Sequence, residues 1–224
     1  MEKQIRILST KKLLPNQKQF LLNAGFSVIE SDFIQVSSKP FVLEDIDHNL
    51  IFTSRNAVKS FLENKDSGDL KAANSFCVGL KTKLLLEENG FKVIAYSENA
   101  ATLAELLKDE FKNESFTFFS GNIRLETLPL NLKIAGIRFN EIEVYDTVLK
   151  PNRISTKPDG LLFFSPSAVE SYLIQNKIID EACFCIGGTT AKTLEATTKN
   201  ITIASQPSVE NVIIKCINHY NKKH

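Results

Sequence analysis

At 224 residues, 43% of them hydrophobic, the chain is long for one domain and sufficient for two small ones, each with its own core. Lysine and arginine total 27 against 26 aspartates and glutamates, so no bulk field draws in nucleic acid or a membrane, and any anion must be met by local groups. The opening MEKQIRILST has no long apolar region and no later run approaches the roughly 20 apolar residues that span a bilayer, which leads us to expect a cytoplasmic protein.

In chain order, IRILS reads as a strand, Ser9-Thr10-Lys11-Lys12 as a turn, and the next segment as a helix with Pro15 in its first turn and Phe20, Leu21 and Leu22 facing inward. Gly25 ends that helix and FSVIESDFIQV follows as a strand, completing a β-α-β unit. Ser37 to Asp47, with Pro40 and several acids but little periodicity, suits a linker. LIFTSRNAVKSFLEN then predicts a buried strand, a polar turn from Thr53 to Asn56, and a helix. SFCVGLKTKLLLEENGFKVIAYS predicts a strand, a turn at Gly79, a helix from near Thr82, a cap at Gly90 and another strand, before the helix ATLAELLKDEF. Phe116 to Phe119 form a short apolar strand, broken by Ser120, Gly121 and Asn122 ahead of the helix-compatible IRLETL, which Pro129 ends. Gly136 caps the next turn, and FNEIEVYDTV returns as a strand with Tyr145 near its end. Alternating strands and helices of this kind indicate parallel α/β architecture.

The same pattern is used twice. LIFTSRNAVKSF set against LLFFSPSAVESYL places Ser54 on Ser165, 111 residues apart, and Ser9 on Ser120 and Gly25 on Gly136 keep that offset. SFCVGLKTK against CFCIGGTTAK places Gly79 on Gly187, 108 apart, and TLAELL finds its counterpart in SVENVI. Two copies of about 110 residues therefore fill the chain. Periodicity alone would put the domain boundary near Glu114.

Three strand-to-helix turns recur in pairs: Ser9-Thr10 with Ser120-Gly121-Asn122, Thr53-Ser54 with Ser165-Pro166-Ser167, and Gly79 to Thr82 with Gly187 to Thr190. Ligands of open parallel sheets collect at such turns, where free N–H groups beside helix starts favour anions. Any single serine or threonine there is accounted for by helix capping, at about 1 kcal/mol each. The paired set suits a ligand with many carboxylates, and Arg124 stands beside one of the turns.

Other chemistries lack their signatures. Cys77, Cys183, Cys185 and Cys216 lie in apolar or helical runs with no C-x-x-C, and His48, His219 and His224 cluster with none of them, so no metal is expected. There is no G-x-G-x-x-G, no Walker-type loop and no G-x-S-x-G.

FFSGNIRLETLP, VYDTV, LLFFSPSAVESYL, CFCIGGTTAKTLE and ASQPSVENV, with IFTSRNAV and FCVGLKTK from the first half, resemble the corresponding blocks of the uroporphyrinogen-III synthase family over nearly the whole chain. The resemblance implies a cofactor-independent monomer of two Rossmann-like or flavodoxin-like α/β lobes with parallel sheets, joined by two extended strands, with the active-site cleft between the lobes. One lobe would be discontinuous, residues 1–36 with 150–224, and the other would span 37–149. The implied reaction closes the linear tetrapyrrole hydroxymethylbilane, which hydroxymethylbilane synthase would hand over, into uroporphyrinogen III. Water is lost, and the last ring is inverted through a spiro-pyrrolenine. Because the substrate can cyclise unaided to the uninverted isomer, orientation matters more than a strong acid or base.

Tyr145, in the V-Y-x-T-V strand, matches the family's cleft tyrosine and is the implied proton donor to the leaving hydroxyl. Thr82 and Thr190, with Thr189 beside the latter, match the threonine of each V/I-G-x-x-T turn. Ser54, Ser165, Ser167, Ser120, Gly121, Asn122 and Arg124 complete the implied carboxylate-binding set. Two positions depart from the pattern: Arg55 stands where the family often has a small residue or proline, and Gly188 where it often has proline. Two other classes compete: a non-catalytic bilobal binder of small anions, and a flavin-binding flavodoxin-like domain, for which STKKL is a poor phosphate loop.

Overall fold

A computed structural model describes residues 4–221, so His224 lies outside the described residues. The chain opens with β1 (Arg6–Ser9), α1 (Pro15–Asn23), β2 (Ser27–Glu30), β3 (Ile34–Ser38), β4 (Asn49–Phe52) and α2 (Arg55–Leu62). A 3-10 turn over Lys65–Leu70 leads to β5 (Asn74–Val78), α3 (Leu80–Glu88), β6 (Lys92–Ser97), α4 (Ala100–Glu110), β7 (Ser115–Gly121), α5 (Thr127–Ile134) and β8 (Arg138–Leu149). β9 (Gly160–Phe163), α6 (Pro166–Gln175), β10 (Ala182–Cys185), α7 (Gly188–Lys192), β11 (Ile201–Ile203) and α8 (Val209–Asn221) complete it. No described helix is long and apolar enough to cross a membrane.

The described residues form two compact units, one holding the chain up to Gln35 and from Val148 onward, the other Val36–Thr147. The first has a five-stranded sheet in the order β11-β10-β9-β1-β2, all parallel. The second has six strands in the order β3-β8-β7-β4-β5-β6, parallel from β8 to β6. At its edge the Lys39 N–H donates to the Val144 carbonyl and the Lys150 N–H to the Phe33 carbonyl, so β3 runs antiparallel to β8. Read from β2 and from β8, the orders are β2-β1-β9-β10-β11 and β8-β7-β4-β5-β6, the same arrangement of repeat-equivalent strands. Each sheet thus combines strands from both halves of the duplication, and no break falls near Glu114 because β7 pairs with β4 on one side and β8 on the other.

Both faces of each sheet are covered, which is why the inner strands are apolar without alternation. In β4, Leu50 and Phe52 enter one core with Phe61, Phe119 and Val144, while Ile51 enters the other with Phe76, Phe116 and Phe118. In β1, Leu8 joins Leu161 and Phe163 on one face, and Ile7 joins Leu162 and Phe184 on the other. The period-two geometry of a strand distributes the residues in this way.

Several local expectations change. Of Phe20, Leu21 and Leu22 on α1 only Leu21 is buried; Phe20 is 56% and Leu22 43% exposed, because three consecutive residues span too much of a 3.6-residue turn to share one face. FSVIESDFIQV is two strands, β2 and β3, in different sheets. The segment after Ser38 has no regular structure, yet Phe41, Leu43 and Ile46 pack on the core, so it belongs to the second unit and is not a free linker. α3 starts at Leu80, two residues before Thr82. IRLETL is largely non-helical and Pro129 does not end a helix: α5 begins at Thr127 with Pro129 in its first turn, where the missing N–H breaks no helical bond. Gly25 and Gly136, at φ +81 and +70, end α1 and α5 in the left-handed region, as their equivalence in the repeat leads one to expect.

Candidate functional site

Parallel strands deliver their following turns to one edge of the sheet. In the second unit, adjacency of β7, β4 and β5 brings the turns at Ser120–Asn122, Thr53–Ser54 and Gly79 side by side. In the first, β1, β9 and β10 do the same for Ser9–Thr10, Ser165–Ser167 and Gly187.

Ser54 and Ser165 act alike as helix caps. Ser54 Oγ accepts from the Ala57 N–H and Ser165 Oγ from the Ala168 N–H, each at 3.1 Å, satisfying one of the N–H groups that a helix start leaves open. Their second contacts differ. Ser165 Oγ lies 3.1 Å from Ser167 Oγ, whereas Ser54 Oγ lies 3.1 Å from the Tyr145 hydroxyl. The 111-residue offset carries Tyr145 onto Ile34, so one copy of the repeat alone has the phenol.

Tyr145 is placed by a break in register. β7 pairs with β8 as Ser120↔Glu143 and then Gly121↔Tyr145, leaving Val144 as an extra residue. In an unbroken strand Val144 and Tyr145 would face opposite ways; at this bulge both enter the core of Leu50, Phe52 and Phe119. Tyr145 is only 7% exposed. Its ring covers Gly121 so closely that a Cβ there would lie 2.4 Å from Tyr145 Cζ. Asn122 fastens the same segment: its N–H donates to the Tyr145 carbonyl (3.2 Å), its Oδ1 accepts from the Thr147 N–H (2.7 Å), and its Nδ2 donates to the Thr147 carbonyl (3.3 Å).

Gly121 and Asn122 therefore hold Tyr145, and Ser120 beside them is buried. With α5 starting at Thr127, no helix N-terminus stands at this turn, and the anion site expected there is not formed by it. Arg124 is also engaged. Its Nε donates to Glu141 Oε1 (2.5 Å) and its Nη2 to Glu141 Oε2 (2.8 Å), and Nη1 donates to Glu126. The surrounding 280 Å³ pocket includes Glu126, Glu141 and Glu143, an acidic lining that disfavours a carboxylate ligand. Sequence reading missed Glu141, because a partner 17 residues away on another strand leaves no local signal.

Burial opposes ionisation of Glu141, but the Arg124 guanidinium outweighs it and holds the carboxyl below its ordinary range. A carboxyl with a lowered folded-state pKa stabilises the protein above its unfolded value near 4.5, and that stability is lost as pH falls through the lower folded value. Urea midpoints measured downward from about pH 5 should fall less steeply in Glu141→Gln than in the parent; equal slopes would remove Glu141 from the acid response.

Thr82 and Thr190 occupy the third position of α3 and α7, after Gly79 and Gly187. Both residues are buried, and among the described residues neither hydroxyl has a hydrogen-bond partner, which leaves both with donor capacity; Thr189 is exposed. In the β1 turn the hydroxyl protons are committed internally: Ser9 Oγ donates to the Lys11 carbonyl (2.6 Å) and Thr10 Oγ1 to the Leu162 carbonyl (2.7 Å). That turn makes a poor phosphate cradle. All four cysteines are buried and form no disulfide, and burial pushes the thiols of Cys77, Cys183 and Cys185 up to about 12. Among the described residues no group of three or more His, Cys, Asp or Glu is placed to hold a metal ion.

A family model described as Uroporphyrinogen-III synthase HemD matches residues 18–214. Uroporphyrinogen-III synthetase from Helicobacter pylori 26695 is similar in structure over 97% of this chain and 100% of its own, with 22% identity and a TM-score of 0.72. A mutant uroporphyrinogen III synthase from the extremely thermophilic bacterium Thermus thermophilus is similar over 98% and 100%, with 15% identity and a TM-score of 0.69. These likenesses bear on the fold. No curated protein matches the sequence.

Proposed function

The chain belongs to the uroporphyrinogen-III synthase family, and from that premise we propose that it closes hydroxymethylbilane into uroporphyrinogen III, as a lyase without a cofactor, using Tyr145 as its proton donor. The observation that supports a role for Tyr145 is its hydroxyl 3.1 Å from Ser54, at the N-terminus of α2. Ser54 Oγ accepts from the Ala57 N–H and retains its own proton, which it can direct at the phenol oxygen. The Tyr145 proton is then directed at the leaving hydroxyl of the substrate, and the growing phenolate charge is met by Ser54 and by the partial positive charge of the helix start.

In this reading the hydroxyl departs as water and an azafulvene forms. The terminal ring attacks through its substituted carbon to give the spiro-pyrrolenine. Fragmentation and reclosure invert that ring, and the proton released on closure returns to Tyr145. Thr82 and Thr190, whose hydroxyls have no partner among the described residues, are the side chains we assign to acetate and propionate arms.

The test is a coupled assay that generates hydroxymethylbilane in situ and separates type I from type III product after oxidation. Predominant type III is expected. Type I at the level without enzyme, from folded protein, overturns the reading in favour of a non-catalytic anion binder. Ser54→Ala should lower stability by about 1 kcal/mol through the lost cap and slow type III formation by roughly tenfold or more. Ser54→Thr, which keeps the hydroxyl, should restore most of both. If Ser54→Ala loses stability but no rate, the hydroxyl caps α2 and does nothing for Tyr145.

A further inference from the structure

Since Arg124 is held by Glu141 and Glu126, positive charge for an anionic ligand must come from elsewhere in the second unit. α2 and α3 follow the adjacent parallel strands β4 and β5, so both helices start at the same edge of the sheet and pack side by side. Between them lies a groove of about 240 Å³ lined by Arg55, Lys59, Lys81, Leu84, Leu85 and Glu88. Three cations there stand against one carboxylate. Among the described residues, neither Arg55 nor Lys59 is paired with an acid. Leu84 is 46% exposed, an apolar surface beside the charges. Arg55 directly follows Ser54, whose hydroxyl meets Tyr145.

We propose that this groove binds the carboxylate arms of an amphipathic polycarboxylate: Arg55 takes one arm through its guanidinium fork, Lys59 attracts another, and Leu84 and Leu85 receive the apolar body. The inference rests on the synthase reading for the identity of the ligand, a linear tetrapyrrole, but the groove's selectivity follows from its own lining. Net charge near zero makes the local cluster decisive, because exposed charges beyond about 10 Å are screened at ordinary ionic strength.

The experiment compares the parent protein, the double variant Arg55→Gln/Lys59→Gln, and Lys65→Gln as a control outside the groove. Uroporphyrin I, a fluorescent porphyrin with acetate and propionate arms, is titrated at low and moderate salt, and KM and kcat are measured in the coupled assay. The double variant should bind the porphyrin roughly tenfold more weakly, with a shallower salt dependence, and its KM should rise by a similar factor, as for the loss of one or two charge-assisted contacts. The control should match the parent.

Parent-like affinity and salt dependence in the double variant overturn the groove while leaving the synthase reading intact if type III product still forms. Weakened porphyrin binding in the variant, with no type III product from the parent, retains the groove as a polycarboxylate site and removes the synthase reading. Absence of porphyrin binding by the parent together with an unchanged KM in the variant also overturns the groove.

Discussion

Gly121→Ala is expected to lower both stability and rate, because the added methyl has no room. Its position lies 2.4 Å from Tyr145 Cζ and 2.5 Å and 2.8 Å from the flanking ring carbons, and neither side yields easily. Gly121 ends β7 opposite Tyr145, just past the bulge in β8, and Tyr145 is packed in the core with Leu50, Phe52 and Phe119. Overpacking of this kind costs about 1–3 kcal/mol. The ring is the group that must move, so its hydroxyl leaves Ser54, and we expect the rate of type III formation to fall at least as far as in Ser54→Ala. The coupling can be measured by a double-mutant cycle: in a Tyr145→Ala background, Gly121→Ala should lose most of its cost. An equal cost in both backgrounds would show that the alanine strains β7 itself and would detach Gly121 from Tyr145.

Tyr145→Phe should separate chemistry from packing. Phenylalanine fills the same space over Gly121, so the change in stability is limited to the lost hydrogen bond with Ser54, about 0.5–1.5 kcal/mol. Loss of the proton donor should slow the reaction by about 100-fold to 10,000-fold, the usual contribution of a general acid. Type III product should still form, since ring orientation survives in the rest of the site, but its share over type I should fall as unassisted closure competes. Complete loss of type III from a folded protein would assign Tyr145 more than proton donation; an unchanged rate would remove it from the chemistry.

The two variants probe features that were unequally legible. The strands around Leu50–Phe52, Phe116–Phe119 and Leu161–Phe163 announce themselves as apolar runs bounded by turns, and the pairing of Ser54 with Ser165 could be seen from the offset alone. Their identical capping geometry, 3.1 Å in each case, follows from local chemistry that the repeat preserves. IRLETL has the composition of a helix but lies largely ahead of one, because Pro129 favours a later start and Asn122 and Arg124 are drawn across to β8. Arg124 read as a receptor for an external carboxylate because Glu141, its partner, is 17 residues away and becomes adjacent only when β7 and β8 pair. Hydrophobicity alone turns Phe20 and Leu22 inward with Leu21, where helical geometry admits one of the three.

The order of strands and helices, the left-handed glycine at Gly136 and the serine caps were determined by the sequence itself, because each depends on residues within a few positions of one another. The tertiary structure decided which strands share a sheet, since both halves of a duplicated sequence carry equivalent partners and only the packed chain selects among them. It also decided the setting of Tyr145. A one-residue bulge turns two neighbours toward the same core, and the phenol meets a hydroxyl 91 residues away, a contact that no local pattern encodes.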